Sequence, residues 1–341
     1  MSEPVTHRVL PYDGMEGYLA GAVPFLREGI DAGDRVLAVT PLGSRMILED
    51  ALGAAADEVE FADPSDWYTH PPRAMADTLH HAEAALWEGR RLRVLAEPTW
   101  TGRPHAEVLE WQRAEALTTL AYEGTGAAFL CPYSRTLPAG VIAAARQTHP
   151  ETVKGTRSVA TPGYLDPWTF SERCDAEPLP DPPPGADRIP LDRPDLYWLR
   201  QYVADFAERA QVCDEHLQRL LVAVTEVVTN AVRHGAPPIV LTLWTDPDDR
   251  SLVCQVADRG RWRAGADAGL LPPRGATPGT DAPGRFGLWA VRLLCSLVQI
   301  RTGERGTTVR LRLRARGRTL DVTSPPTMDA QWRPTGSPNA R

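Results

Sequence analysis

The chain has 341 residues, 43% of them hydrophobic and 24% charged, with a formal net charge of -7. That composition excludes a wholly disordered chain, and the length accommodates two domains of roughly 100–200 residues each. Residues 1–170 carry -9 and residues 171–341 carry +2, so neither half has the basic balance of a nucleic-acid binder.

No apolar run reaches the ~18–20 residues that a membrane helix needs. The N-terminus, MSEPVTHRVLPYDG, has no basic stretch followed by an apolar one, so no signal peptide is expected. Lys154 is the sole lysine and lies in VKGTRS. That rules out a P-loop, so any ATP site must be of another type. The five cysteines, Cys131, Cys174, Cys213, Cys254 and Cys295, form no C-x-x-C pair. Zinc ribbons and thioredoxin-like motifs are excluded, and the scatter fits a reducing cytoplasm. His80 and His81 are adjacent while His70 and His105 are isolated, which gives no metal-ligand spacing.

In chain order, apolar residues from Tyr18 to Ile30 recur at helical spacing and predict a helix over 17–33, ended by Gly33. A buried strand follows at 34–41, then a helix at 44–52 capped by Ser44 and a short strand at 59–62. Helices at 72–88, 106–122 and 141–149 alternate with buried strands at 92–96 and 127–131. This rhythm predicts an α/β domain with a mostly parallel sheet covered by helices. Residues 175–195 hold seven prolines in 21 positions, the composition of an extended, semi-rigid linker. Beyond it, helices at 196–210 and 213–233 precede strands at 239–245 and 251–257. A Gly/Pro/Ala-rich loop at 259–284, a helix at 288–295 and strands at 298–302 and 307–314 complete the pattern. Helices followed by paired strands predict an α+β sandwich. The expected domains are 1–170, a linker at 171–189, 190–317, and a disordered tail at 318–341.

The informative constellation ends the long helix. Glu226, Asn230 and His234 fall at i, i+4 and i+8 on one face, while Leu220, Leu221, Val224, Val227, Val228 and Ala231 are apolar. Alone, this stripe equally suits a solvated face. Asp258-Arg259-Gly260 then closes a strand, which an ordinary turn would also explain. Gly284-Arg285-Phe286-Gly287-Leu288-Trp289 opens a helix, where free N–H groups suit phosphate. Gly306-Thr307-Thr308 starts the last strand.

In this order and spacing, the four elements resemble the GHKL ATPase superfamily, over about residues 190–315. E-x-x-x-N is its N box, D-x-G its G1 box and the glycine loop before Leu288-Trp289 its G2 box. LVAVTEVVTNAVRHG and GLWAVRLLC are similar to the anti-sigma-factor serine kinase branch. Gly284-Arg-Phe-Gly287 departs from that branch's tighter Gly-x-Gly. The resemblance implies an ATP site formed by Asn230, His234, Asp258, Gly260, Gly284, Gly287, Leu288 and Thr307. Asn230 would ligate magnesium through its amide oxygen, and Asp258 would accept from the adenine amino group beside Gly260. Glu226 would be the general base, and residues 261–283 the lid. It further implies a cytoplasmic regulator of transcription that binds a sigma factor and phosphorylates serine or threonine on an anti-sigma-factor antagonist, with a tendency to form homodimers. Direct contact with nucleic acid or membrane is not expected. Two other readings compete. One is a non-catalytic ATP-dependent binding switch. The other is a sensor histidine kinase fragment, which lacks a phosphoacceptor upstream: His216 is the sole histidine between 150 and 234.

Residues 5–165 resemble the MEDS sensory domain through Leu10-Pro11-Tyr12-Asp13, Phe25-Leu26-Arg27-Glu28-Gly29, Gly33-Asp34-Arg35-Val36, Glu97-Pro98-Thr99-Trp100, Gln112-Arg113-Ala114-Glu115-Ala116, Cys131-Pro132-Tyr133 and His149-Pro150. Ligands of open α/β sheets bind at carboxyl ends of strands. Glu97, Trp100, Glu115 and Tyr133 are therefore candidates for one pocket taking a small molecule. Equally, Trp100 and Tyr133 would serve as core aromatics and Glu115 as a surface charge.

Overall fold

The computed structural model describes residues 4–155, 157–191, 195–262, 269–272 and 285–314. The N-terminal domain runs β1 (Thr6–Tyr12), α1 (Gly14–Asp31), β2 (Arg35–Val39), α2 (Leu42–Leu52), β3 (Val59–Ala62), α3 (Pro64–Trp67), α4 (Pro71–Trp87), β4 (Leu92–Ala96), α5 (His105–Ala121), β5 (Ala128–Ser134), α6 (Ala139–Thr148), β6 (Glu151–Lys154), β7 (Arg157–Ala160) and α7 (Pro167–Cys174). Its seven strands lie in the order β3-β2-β4-β5-β1-β6-β7. Every pair is parallel except the edge hairpin β6–β7. All five residues of β4 are buried, as expected where helices cover both faces of a parallel sheet. Tyr18 and Leu26 of α1 pack with Leu48 of α2 on one face. Leu79 of α4, Leu117 of α5 and Val141 of α6 pack on the other.

Helix α5 departs from the usual amphipathic pattern. Glu110, Trp111, Gln112, Arg113 and Ala114 are consecutive and all buried, so the helix is enclosed on every side. The sheet lies beneath it, α7 packs beside it through Ala116, Phe170 and Cys174, and its charged residues meet the second domain.

The C-terminal domain comprises β8 (Asp187–Pro190), α8 (Leu196–Arg209), α9 (Asp214–His234), β9 (Val240–Thr245), β10 (Leu252–Asp258), α10 (Arg285–Leu294), β11 (Leu297–Gly303) and β12 (Gly306–Leu313). Five antiparallel strands lie in the order β11-β12-β10-β9-β8. The apolar faces of α8, α9 and α10 bury Leu199, Val203, Val224, Val228 and Val291 against Leu241, Cys254 and Leu311 of the sheet. This is the α+β sandwich expected from the sequence.

The differences from expectation have local causes. Strand β1 was not anticipated because Pro11 interrupts its short apolar run, although all its seven residues register with β5. Strands β6 and β7 are four residues each and carry Lys154 and Arg157, a charged edge with little apolar signal. Helix α2 starts after Pro41, and no side chain caps it, so Ser44 lies inside the helix and is not its cap. Helix α7 occupies residues 171–174 of the expected linker. It is started by Asp166, which accepts from the backbone N–H groups of Trp168 and Thr169 at 3.1 Å each. The linker also ends in β8, where Pro190 is tolerated because the strand is at an edge. The segment between runs along the second sheet, where Arg310 donates to Pro180 O at 2.6 Å and Arg301 to Glu177 O at 2.6 Å. The expected tail from residue 318 lies outside the described residues.

The two domains meet at the C-terminal end of α10. Arg292 donates to Glu110 Oε2 at 2.8 Å and to Val298 O at 3.2 Å, with side chains only 3% and 9% exposed for Arg292 and Glu110. Arg113 joins Glu110 at 3.5 Å and bonds Asp175, which Arg301 reaches at 2.8 Å. Two carboxylates thus share three guanidiniums. His70 Nε2 donates to Cys295 O at the end of α10, satisfying a carbonyl that the helix leaves unpaired. Leu270, between the two undescribed parts of the 259–284 loop, is fully buried in the N-terminal core.

Two predictions follow from this interface. Removing one partner of a buried ion pair costs about 3–5 kcal/mol, whereas replacing both by apolar groups is often neutral. Glu110→Leu should therefore lower thermal stability sharply, and Glu110→Leu with Arg292→Met should recover most of the loss; equal losses in both would show that the pair contributes little. Burial, reinforced by Arg292 and Arg73 against the pull of Cys295 O and Glu110, lowers the His70 pKa to about 4 from 6.5. The unfolded chain then takes up a proton that the folded chain refuses. Stability should be full above pH ~6.5 and fall towards pH 4, by up to about 1.4 kcal/mol per unit from this group. Unfolding measured across that range should show a flatter profile for His70→Gln, and parallel profiles would contradict the assignment.

Candidate functional site

The described residues of the expected ATP site lie where α9, β10 and α10 converge. The polar stripe on α9 is half-buried at Glu226 and Asn230 and exposed at His234. Asn230 Nδ2 donates to Glu226 Oε1 at 3.1 Å. This fixes the amide with its oxygen turned away from the carboxylate. Gly287, in the first turn of α10, lies against that carboxylate: a Cβ there would come within 2.0 Å of Glu226 Oε1. Gly287 thus allows α10 to approach α9. The helix starts at Arg285, three residues before the expected Leu288, and Leu288 is buried in the core beneath the site. Gly284 lies outside the described residues, as does most of the expected lid.

Asp258 ends β10, 9% exposed. Its Oδ1 accepts from Gly260 N at 2.6 Å and Ala236 N at 3.2 Å, charge-assisted bonds that fix the carboxylate. Glycines permit this cage. A Cβ on Gly260 would meet Gly235 Cα at 2.7 Å, and one on Gly235 would meet Asp258 Oδ1 at 2.6 Å. Gly306 has φ +111°, where a side chain is strained, and a Cβ would meet Asp258 O. Thr307 registers opposite Asp258 and donates from Oγ1 to Gly260 O at 2.8 Å. The turn after α9, the turn after β10 and the start of β12 are therefore locked around one carboxylate, whose Oδ2 accepts no hydrogen bond among the described residues. Gly260 and Thr307 build the cage, a structural part beyond the roles expected of them.

The sensory candidates divide. Trp100 and Tyr133 are buried with ring centroids 5.6 Å apart. Glu97 turns to the α1 face, accepting from Thr40 Oγ1 at 2.6 Å and Tyr18 Oη at 3.2 Å, and burial raises its pKa. Glu115 points elsewhere, to His7 at 3.3 Å and His149 at 3.2 Å. Burial pushes the His7 pKa down to about 4, with His149 adding to the shift. For Glu115, burial acts upward, but the two imidazoles outweigh it and hold the pKa at about 2. A cavity of about 50 Å³ adjoins this group, lined by His7, Glu115 and Cys131 on one side and by Tyr68, Met75 and Trp111 on the other. His7 and His149 were not among the expected site residues. They lie far from Glu115 in sequence and form no motif with it.

Comparison with known proteins gives two family matches. The MEDS model, described as the methanogen/methylotroph DcmR sensory domain, matches residues 6–150. The model of the histidine kinase-like ATPase domain matches residues 189–313. No curated protein matches the chain. Among solved structures, a similarity covers 39% of this chain and 33% of a Mycobacterium tuberculosis protein comprising RsbU and RsbW domains, at 22% identity and TM-score 0.28. The chain thus spans about a third of that structure's length. The Acinetobacter baumannii histidine kinase AdeS is similar at 12% identity and TM-score 0.26, over 44% of this chain and 74% of its own. The histidine kinase domain of the E. coli osmosensor EnvZ is similar at 20% identity and TM-score 0.23, over 46% of this chain and 96% of its own. Among the described residues no helix is long and apolar enough to cross a membrane. By its family matches, the chain joins an N-terminal MEDS domain to a C-terminal histidine kinase-like ATPase domain.

Proposed function

We propose that the C-terminal domain binds ATP with magnesium and transfers the terminal phosphoryl group to a serine or threonine of an anti-sigma-factor antagonist. In this reading the protein is a cytoplasmic anti-sigma factor, free to form homodimers, and the MEDS domain regulates it in response to a small molecule. The observation that carries the nucleotide part is the caged Asp258 carboxylate, held by two backbone N–H groups across from the Glu226–Asn230 pair. An exocyclic amino group supplies the donor that such a carboxylate accepts. Asn230 gives its N–H to Glu226, and its amide oxygen remains as a hard donor suited to magnesium. Magnesium held there would neutralise charge on the phosphates.

Glu226 takes the proton from the attacking hydroxyl as the new P–O bond forms and the bond to ADP breaks. Its Oε1 is fixed by Asn230 and by the close backbone of Gly287, which orients the base. The protein-substrate part of the reading rests on the likeness of LVAVTEVVTNAVRHG and GLWAVRLLC to the serine kinase branch. His216 lies in the first turn of α9, within the ATPase domain and away from any hairpin before it, which disfavours the histidine-kinase reading.

Regulation by the MEDS domain is supported by α10. One end carries Gly287 beside Glu226, and the other carries Arg292 bonded to Glu110 of α5. Ligand binding that favours one of two positions of α5 would shift α10, and with it the base.

The site residues should separate by role. Asp258→Asn should weaken ATP binding with or without magnesium, and Asn230→Ala should weaken it only with the metal. Glu226→Gln should keep ATP affinity within a few-fold and lower phosphate transfer by roughly 10²–10⁴, while sigma-factor binding persists. Calorimetry beside a radiolabel transfer assay on the antagonist reads all three. Transfer at the wild-type rate in Glu226→Gln would remove it as the base. A wild-type chain that binds ATP but phosphorylates no partner would favour the non-catalytic switch.

A further inference from the structure

His7, Glu115, Cys131 and His149 come from four separate elements and meet at one point over the centre of the first sheet. His7 is on β1 and Cys131 on β5, in register through the pairs His7–Phe129 and Val9–Cys131, so both point to the α5 face. His149 follows α6, just before β6 pairs with the other side of β1. Glu115 reaches down from α5. His7, Cys131 and His149 are 1%, 2% and 0% exposed, and the Glu115 side chain is 12% exposed.

The separations are those of a coordination shell. Zinc–ligand distances of about 2.0–2.1 Å to imidazole or carboxylate and about 2.3 Å to thiolate set tetrahedral edges of roughly 3.3–3.6 Å. Here His7 Nε2 to Glu115 Oε2 is 3.3 Å, His149 Nε2 to Glu115 Oε2 is 3.2 Å, and Cys131 Sγ to His7 Nε2 is 3.5 Å. All four donor atoms lie within 4.8 Å of one another, so the longest edge closes with a small side-chain movement.

A buried hydrogen-bonded Glu–His pair is the competing explanation, and two observations oppose it. Glu115 Oε2 and His149 Nε2 lie 3.2 Å apart without the alignment of a well-formed hydrogen bond. His149 Nδ1 donates to Ala145 O at 2.8 Å. That bond selects the tautomer whose Nε2 carries a lone pair directed into the cluster, the usual support of a metal-bound histidine. Charge also balances: a divalent cation offsets one carboxylate and one thiolate, with both imidazoles neutral.

We infer that His7, Glu115, Cys131 and His149 form a site for a divalent transition metal, with zinc as the ion best suited to this mixed set of N, O and S donors in tetrahedral array. The site forms one wall of the cavity that Tyr68, Met75 and Trp111 complete. Glu115 is its most exposed ligand and lies on the helix that reaches the second domain. The inference does not depend on the nucleotide reading, since every ligand lies in the MEDS domain.

The test uses the full chain, purified without chelators and free of nucleotide. Elemental analysis should find about one zinc per chain. After the metal is stripped, one equivalent of Co²⁺ should give tetrahedral d–d absorption and a thiolate-to-cobalt charge-transfer band. Cys131→Ser should lose that band, and His149→Ala should bind cobalt at least about tenfold more weakly. If either variant fails to fold, the wild-type spectrum still decides. A wild-type chain that takes up neither ion at stoichiometric concentration overturns the site, as does a charge-transfer band that survives in Cys131→Ser, because the exposed Cys213 would then be its source.

Discussion

The arrangement turns on a buried charge. Arg292 carries its guanidinium into the contact between α10 and α5, where Glu110 and the carbonyl of Val298 receive it. A buried charge must be paired, and its partner here lies in the other domain. That requirement fixes α10 against α5, and the carbonyl of Cys295, bonded by His70, fixes the same end. The neighbouring charges follow: Arg113 shares Glu110 and also holds Asp175, which in turn takes Arg301 from the second sheet. Joined by ion pairs, these groups behave as a unit, so losing one member leaves the others with less compensation.

The same helix organises the candidate nucleotide site. Its N-terminal turn can come close to α9 because residue 287 has no side chain, and the space is taken by the Glu226 carboxylate. Further along the site, Gly235, Gly260 and Gly306 let three backbone segments close around Asp258. In both places glycine is required by the close approach of other atoms, the Glu226 carboxylate in one and the groups around Asp258 in the other. A carboxylate held in this way has little conformational freedom left to lose when a ligand arrives.

Much of this was legible in the sequence, and the limits have physical causes. The C-terminal sandwich was readable because its helices carry clean apolar stripes and its strands alternate. The candidate site was legible as a motif because Glu226 and Asn230 are one helical turn apart and Asp258-Arg259-Gly260 is contiguous. The N-terminal strands buried on both faces were readable as apolar runs, whereas β1, β6, β7 and β8 were hidden by proline, charge or shortness. The pairing of α5 with α10 had no sequence signal, since Glu110 and Arg292 read as ordinary surface charges until the domains are placed together. The cluster around Glu115 was hidden for a similar reason. Its ligands at positions 7, 115, 131 and 149 share no spacing, and only the parallel pairing of β1 with β5 brings them into one place. The same placement separates Glu97 from Glu115, because alternate faces of the sheet receive them.

A nucleotide bound around Asp258 should be felt, through α10, at α5 of the other domain. Hydrogen–deuterium exchange on the full chain, with and without a non-hydrolysable ATP analogue and magnesium, tests it most directly. The account predicts slowed exchange at the amides around 235–236, 258–260 and 306–307, together with a change along α10 and in residues 107–115 of α5. Protection confined to the first group would contradict the coupling, and no protection there at all would contradict the nucleotide site itself.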